Sequence, residues 1–288
     1  MADPALLPSV LARLRCPVCA EPLAEVTAGT TRALRCPRGH SFDIARQGYV
    51  NLLTGRTPHS GDSADMVAAR ADFLAAGHYD TVAAALAATA TRVAPDDPYP
   101  LVVDAGAGTG HYLAAVLAAL PDATGLALDV SKPALRRAAR VHPRAAAALA
   151  DTWQRLPLAD RSVAVLLNVF APRNGAEFRR VLDPAGALLV VTPAVEHLGE
   201  LVDALGLLRV DPDKADRVTG SLGGHFVEES ATAHRAELAL TRAEVTTLVG
   251  MGPSAWHTDP GRLAARIAAL PEPTPVTAAV RVGVHRPR

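Results

Sequence analysis

The sequence predicts an α/β fold: a doubly wound, mostly parallel sheet ending in an antiparallel edge strand, with a small metal-binding module ahead of it. Three observations carry this reading. Strand-like apolar runs alternate with helix-length segments between residues 101 and 192, and such alternation builds a parallel sheet with helices on both faces. A glycine-rich turn, Asp104-Ala-Gly-Ala-Gly-Thr-Gly110, separates the first of those strands from its helix. All three cysteines lie within the first 36 residues, close to His40.

The metal module comes first in the chain. Cys16-Pro-Val-Cys19 and Cys36-Pro-Arg-Gly-His40 are two closely spaced ligand pairs, sixteen residues apart. Two knuckles joined by a hairpin-length insert fit a tetrahedral zinc site of three Cys and one His. Four protein ligands make such a site structural, because no position is left open for water. The insert ends in Thr31-Arg-Ala-Leu-Arg35, whose alternation suits a strand. So short a segment cannot build a sufficient core, and the metal supplies folding energy. The alternative is a redox Cys-x-x-Cys with an unrelated Cys36, although no βαβ pattern surrounds the pair. Residues 1–58 carry seven arginines against four acids. Arg32, Arg35 and Arg38 either grip phosphates or form a solvated face, and the sequence leaves both open.

Residues 54–63 are rich in Gly, Ser, Thr and Pro and read as a linker. The domains are therefore placed at 1–58 and 59–288. A helix is expected from about residue 63 to 76, capped by Ser63 or Asp62 and ended by Gly77. A second covers 79–93. Strands then fall near 101–104, 125–129, 147–150, 162–168 and 187–192, with helices near 111–119, 132–140 and 175–182. Further helices are expected at 196–207, 241–250 and 260–270. Strand-like alternation occupies 236–240, and 276–284 is a last strand able to pair antiparallel at the edge.

Composition narrows the function classes. The chain has 288 residues, 49% of them hydrophobic, enough for a core domain and a small satellite. Net charge is zero, so no global basic field points to nucleic acid. No apolar run approaches the ~18 residues of a membrane span. The first residues lack a signal-peptide pattern, so a cytoplasmic location is expected.

In α/β sheets ligands bind beyond the carboxyl ends of the strands, where strand order reverses. Asp104, Asp129, Asp151 and Asn168 all occupy such ends. A carboxylate just before the glycines repels the pyrophosphate that a dinucleotide site places at the helix N-terminus, but it suits a cationic, amine-bearing ligand. Asp129 and Asp151 also admit plainer readings, as a helix cap and a turn acid.

The Asp-x-Gly-x-Gly-x-Gly pattern resembles the first motif of class I methyltransferases, which have a Rossmann-like fold. The cofactor implied is S-adenosylmethionine, with Asp104, Gly106, Gly108 and Gly110 at the turn. The same resemblance puts Asp129 at the ribose hydroxyls and Asp151-Thr152 at the adenine edge. Asn168-Val-Phe-Ala-Pro-Arg-Asn174 stands where amino-group methyltransferases carry Asn/Asp-Pro-Pro-Tyr/Phe, but an apolar pair interrupts it. That departure suits a ring nitrogen as acceptor.

A closer resemblance runs along nearly the whole chain. The two knuckles, Gly48-Tyr-Val-Asn-Leu-Leu53, Gly61-Asp-Ser63, Ala76-Gly-His-Tyr79, Asp129-Val-Ser-Lys132, Ala171-Pro172, Thr192-Pro193, His197-Leu-x-Glu-Leu201 and Met251-x-Pro-x-Ala-Trp256 together resemble the RlmA-type 23S rRNA guanine-N1 methyltransferases. Residues 168–174 and 202–210 look most like the tylosin-resistance TlrB branch, the second RlmA class. The resemblance implies methyl transfer to N1 of a guanine in a domain II hairpin loop of 23S rRNA, reduced macrolide binding, and a homodimer whose zinc modules form an RNA groove. It also brings Tyr79, Thr109 and His197 to the cofactor site. No single general base is evident. Asn168 is a candidate for a catalytic part, as is His197; Asp183 and His225 are further base candidates by type, and water is an alternative proton acceptor. Trp256, Phe170 and Tyr112 are either stacking platforms for a splayed base or core aromatics. Two rival functions stand beside this reading: methylation of a small molecule, and zinc-dependent RNA binding without catalysis.

Overall fold

The computed structural model describes residues 7–28, 31–55, 61–207, 220–252 and 259–288. The elements are α1 (Pro8–Leu11), β1 (Ala24–Ala28), β2 (Thr31–Arg35), β3 (Ser41–Asp43), β4 (Tyr49–Asn51), α2 (Ala64–Ala75), α3 (Asp80–Val93), β5 (Leu101–Ala105), α4 (His111–Ala119), β6 (Thr124–Asp129), α5 (Lys132–Ala138) and β7 (Ala145–Leu149). Then come β8 (Val163–Val169), α6 (Gly175–Val181), β9 (Leu182–Pro193), α7 (Gly199–Leu205), β10 (Phe226–Leu240), α8 (Arg242–Gly250), α9 (Pro260–Ala268) and β11 (Thr274–Pro287). Among the described residues no helix is long and apolar enough to cross a membrane.

The large sheet runs β10-β11-β9-β8-β5-β6-β7-β4. Strands β4 to β9 in this sheet are parallel, while β11 pairs antiparallel with β9 and β10 with β11. The chain moves outward from β5 through β6 and β7, then crosses back to β8. Strand order therefore reverses between β5 and β8, which opens a crevice at their carboxyl ends. The expected antiparallel edge is a pair of long strands joined through α8 and α9: β11 lies inside the sheet and β10 forms the outer edge.

Strand β5 shows why these apolar runs are buried on both sides. Val102 packs into the layer formed with α2, α3 and α4. Leu101, Val103 and Ala105 face the opposite layer, with Phe178 and Val181 of α6. Period-two alternation sends neighbours to opposite faces, and helices on each side bury both, as a parallel sheet requires. Local signals set the helix starts. Ser63 Oγ accepts from Met66 N at 3.2 Å to cap α2. Thr241 and Glu244 make a reciprocal capping box at α8.

Two features were not foreseen. Tyr49–Asn51 joins the large sheet as β4, parallel to Ala147–Leu149. The second is the cover of the sheet between β7 and β8: residues 150–162 carry no helix, as the sequence assigns none there, and α1 with the chain after it covers that face. Leu14 bridges Leu158, Arg15 N donates to Pro157 O at 3.0 Å, and Ala159 N donates to Arg13 O at 2.9 Å. Leu14 is fully buried within the layer that also holds Cys16, Leu34 and Cys36. The metal module is thus packed on the sheet. The division placed at residue 58 falls among residues 56–60, outside the described ones.

Leu14→Ala should cost about 2–5 kcal/mol of global stability, as a fully buried leucine in a core does. Urea unfolding checks it: a loss below ~1 kcal/mol would mean that this segment is only attached to the surface of the core.

Candidate active site and metal centre

The glycine turn closes β5 onto β6. Gly106 N and Ala107 N both donate to Leu128 O, at 2.9 and 3.0 Å. Gly106 has φ +83°, and a Cβ there would lie 2.4 Å from that of Ala171, so no other residue fits. Gly108 N and Ser131 N each donate to one carboxylate oxygen of Asp129, both at 2.8 Å. Each of those oxygens keeps a further lone pair for a ligand. Burial raises the Asp129 carboxyl, and the two N–H donors oppose that shift. Asp104 differs. It is fully buried, and neither carboxylate oxygen has a hydrogen-bond partner. Burial, with the charge of Asp129 adding to it, pushes its pKa up to about 8.

A cavity of about 860 Å³ lies beyond these strand ends. Of the residues expected at the cofactor site, Tyr79, Asp104, Gly106, Gly108, Thr109, Asp129, Asp151, Thr152 and His197 line it. Asp151 Oδ1 also accepts from Trp153 N at 3.0 Å, a turn-forming bond. Two expected residues do not line it. Gly110 is the left-handed cap of α4, and its bare Cα lets α4 approach Ala138 and Val141. Asn168 is completely buried and donates to Ala105 O at 3.2 Å and Pro172 O at 2.8 Å. It ties the loop after β8 to the end of β5.

Other lining residues carried no assigned role in the sequence. Gly61 and Asp62 close over Ser131, whose Oγ donates to Asp62 O at 2.8 Å. Arg70 of α2 is paired with Asp62 and donates to Met251 O at 2.8 Å. The Gly61-Asp-Ser63 motif was a visible signal for this cover; nothing in the helix pattern distinguished Arg70. Trp153, half exposed, also lines the cavity. Beside the paired Asp62 the cavity is lined by three further acids, Asp104, Asp129 and Asp151, which suit a cation once ionised.

The rim is aromatic. Phe170 has φ +52° and is exposed. Its ring stacks on His197, with centroids 6.0 Å apart and planes at 27°. Tyr79 Oη lies 3.3 Å from His197 Nε2. Ala279 N donates to His197 Nδ1 at 3.1 Å, so in the neutral ring Nε2 carries the proton and faces Tyr79. That geometry makes His197 a positioning group for Phe170 and Tyr79, with no free basic nitrogen. Asp183 and His225 do not line the cavity, and Asp183 Oδ1 instead accepts from Ala185 N at 2.8 Å. Tyr112 is buried in the wall, where burial raises its hydroxyl pKa. Trp256 lies outside the described residues.

The metal ligands also converge. The ligand atoms of Cys16, Cys19, Cys36 and His40 all lie within 4.8 Å of one another. Cys19 Sγ and Cys36 Sγ are 3.7 Å apart, and His40 Nδ1 is 3.6 Å from Cys16 Sγ and 3.3 Å from Cys36 Sγ. A tetrahedron with Zn–S of about 2.3 Å and Zn–N of about 2.05 Å has edges of about 3.8 and 3.5 Å. The donor set fits zinc. The three-stranded sheet β1-β2-β3 supports the knuckles. Arg32 pairs with Glu25 at 2.6 Å and Arg38 with Glu21 at 3.5 Å, which leaves Arg35 the most available of the three for a phosphate.

Strand order, glycine turn and acidic crevice define a class I, S-adenosylmethionine-dependent methyltransferase carrying a zinc ribbon. A methyltransferase-domain model matches residues 102–186, and the N-terminal zinc-ribbon model of RlmA matches residues 14–60. The chain is 68% identical over 292 residues to a putative 23S rRNA (guanine-N(1)-)-methyltransferase of Micromonospora griseorubida, covering 97% of this chain and 99% of the relative. It is 53% identical over 279 residues to the 23S rRNA (guanine(748)-N(1))-methyltransferase of Streptomyces fradiae, covering 97% and 98%. A putative enzyme of the same kind from Bacillus subtilis is 29% identical over 258 residues, covering 86% and 89%. The protein belongs to the family of 23S rRNA (guanine-N1)-methyltransferases.

With its pKa near 8 in the free protein, Asp104 is largely protonated at neutral pH and must ionise to receive a cation. Binding then releases a proton, so affinity for S-adenosylmethionine should climb as pH rises from about 6 to 7.5, by up to ~tenfold per pH unit. Calorimetric titration in buffers of different ionisation enthalpy measures the proton released. Asp104→Asn should remove both the release and most of the affinity. Stability runs the opposite way: a raised folded pKa means that stability present at low pH is lost as pH rises from about 4 towards 8. Asp104→Asn should therefore unfold at higher temperature than the wild type above pH ~8, and an equal or lower Tm would contradict the unpartnered state of this carboxylate.

For the metal, Cys36→Ser should release zinc and expose residues 14–50 to limited proteolysis. Affinity for S-adenosylmethionine should stay within about threefold, and a collapse of that affinity would show that the ribbon shapes the cavity.

Proposed function

We propose that this protein methylates N1 of guanine 748 in the domain II hairpin loop of 23S rRNA and thereby lowers the binding of tylosin-type macrolides. The observation that carries the reading is the 53% identity, over nearly the full length of both chains, with the Streptomyces fradiae relative named for that nucleotide. The geometry supports it: an acidic floor and an aromatic rim share one cavity. The reading divides the chain near residue 58 into a ribbon that guides RNA and a methyltransferase domain. It places the work in the cytoplasm and takes two copies of the chain as the working unit.

S-adenosylmethionine supplies, when bound, a methyl group on a positively charged sulfur. The protein's own part is to hold and align. Asp104 offers an uncommitted carboxylate to the cofactor's positive end, Asp129 keeps lone pairs for ribose hydroxyls, and Asp151-Thr152 meets the adenine edge. Phe170, fixed by His197 beneath it, offers a face for the extruded guanine. Asn168 holds the Phe170–Pro172 loop through Pro172 O. Positioning of this kind can account for much of a barrier reduction. The proton on N1 passes to water, since the imidazole at the rim has its lone pair committed to Ala279 N–H.

Reverse transcription of 23S rRNA treated with protein and S-adenosylmethionine should stop next to guanine 748, because an N1 methyl blocks Watson–Crick pairing. Label entering small acceptors but no rRNA would favour the small-molecule rival. Phe170→Ala should slow methylation about 5- to 150-fold, the range of one lost base–aromatic stack, while cofactor affinity holds. An unchanged rate would remove Phe170 from base recognition.

A further inference from the structure

Beyond the cavity, the loop that carries Phe170 runs on into Arg173. This guanidinium is half-buried, burial lowers its pKa, and its buried Nε has no hydrogen-bond partner. No acid pairs with it among the described residues. Beside it lie two residues of β11, His285 and Arg281. His285 is buried, its Nε2 has no hydrogen-bond partner, and it sits 4.0 Å from Glu228 Oε2, beyond hydrogen-bonding reach. Arg281 extends towards the same place and pairs with Glu228 at 2.5 Å. A Cβ on Gly283, between them, would lie 3.0 Å from His285 Nε2 and 3.3 Å from Arg281 Nη1. The absent side chain therefore lets His285 and Arg281 lean over the strand and meet above Gly283. Burial lowers the basicity of His285, Glu228 opposes that, and Arg281 and Arg173 add to it.

Arg173 and Arg281 thus stand near His285, and two buried nitrogens, Arg173 Nε and His285 Nε2, lack hydrogen-bond partners. Buried donors without acceptors are costly unless a ligand completes them. The chemistry missing is a compact anion with several oxygens, and Arg173 directly follows the Ala171–Pro172 lining of the cavity mouth. We propose that Arg173, His285 and Arg281 form a phosphodiester-binding cluster that holds the RNA backbone beside the extruded nucleotide. The inference rests on the RNA reading above and adds a second point of contact, separate from the zinc ribbon. Glu228 acts as a stand-in that holds Arg281 until RNA competes for it.

The test uses the full-length protein and a hairpin RNA carrying the guanine 748 loop, with binding measured against potassium chloride concentration. Arg173→Gln should weaken binding about tenfold at 0.1 M salt and reduce the log–log salt slope by about 0.7–0.9, the loss of one phosphate contact. Arg281→Gln should act in the same direction. Glu228→Gln should tighten binding, because it frees Arg281; a purely structural role for this cluster would not yield a gain. Affinity for S-adenosylmethionine should be unchanged in all three, which also reports that each variant folds. Salt slopes equal to wild type in both arginine variants, or weaker binding by Glu228→Gln, would overturn the proposal. A second arm separates this inference from the RNA reading. Sodium sulfate, compared with sodium chloride at equal ionic strength, should raise the Tm of wild type more than that of Arg173→Gln. That difference without hairpin binding would retain the anion site and reject the RNA substrate; equal shifts would reject the anion site itself.

Discussion

One carboxylate sets the terms for the rest of the molecule. Asp104 ends the central strand, buried on all sides, with both oxygens unpartnered and its pKa lifted to about 8. At about 1.4 kcal/mol per pKa unit, ionising it without a partner costs several kcal/mol. A sheet does not keep such a group for stability, since an apolar residue of similar size would pack there at less cost. Asp129, on the neighbouring strand, is stabilised by two backbone N–H donors, so only one of the adjacent acids is left without compensation. That contrast favours a ligand with one localised positive charge and a set of hydroxyls beside it.

The turn that presents these acids depends on small residues for reasons of space. Gly106 meets Ala171 and Gly110 meets α5, so the glycine pattern records two close approaches as well as a backbone conformation. Ala171 belongs to the loop that also holds Phe170, and Asn168 fastens that loop to Ala105 O. The cofactor turn and the aromatic rim are therefore mechanically joined: one residue, Asn168, bonds both to the end of β5 and to Pro172. Its identity as a polar side chain at a strand end marked it in the sequence, but its role is to brace the loop.

What the sequence revealed follows from which signals are local. The strands from β5 to β9, the capped helices and the two cysteine knuckles each depend on periodicity or spacing within a few residues, and all were legible. The short strand β4 was not, because three residues carry no period and its pairing partner, β7, lies about a hundred residues away in the chain. The docking of Leu14 against Leu158 was hidden for the same reason. Among site residues, the acids and glycines stood out through type and position. Arg70 and Trp153 did not, since each reaches the cavity through tertiary packing. His197 lines the cavity, but its hydrogen bond from Ala279 N, which withdraws it from proton transfer, comes from β11 and could not be read from its own segment.

The missing helix between β7 and β8 explains why ribbon and sheet form one body. A parallel sheet exposes its apolar face wherever a crossover supplies no cover. Here α1 and the chain leading into the first cysteine knuckle fill that space, with Leu14 and Cys16 in the same buried layer as Leu158 and Phe178. The zinc ligands thus begin two residues after a core leucine, and the metal fixes the far end of a segment whose near end is fixed by the hydrophobic effect. A module pinned at both ends keeps a set direction relative to the sheet. Any surface it offers to RNA is therefore held at a constant offset from the aromatic rim, which is what an enzyme needs if it is to extract one base from a structured loop.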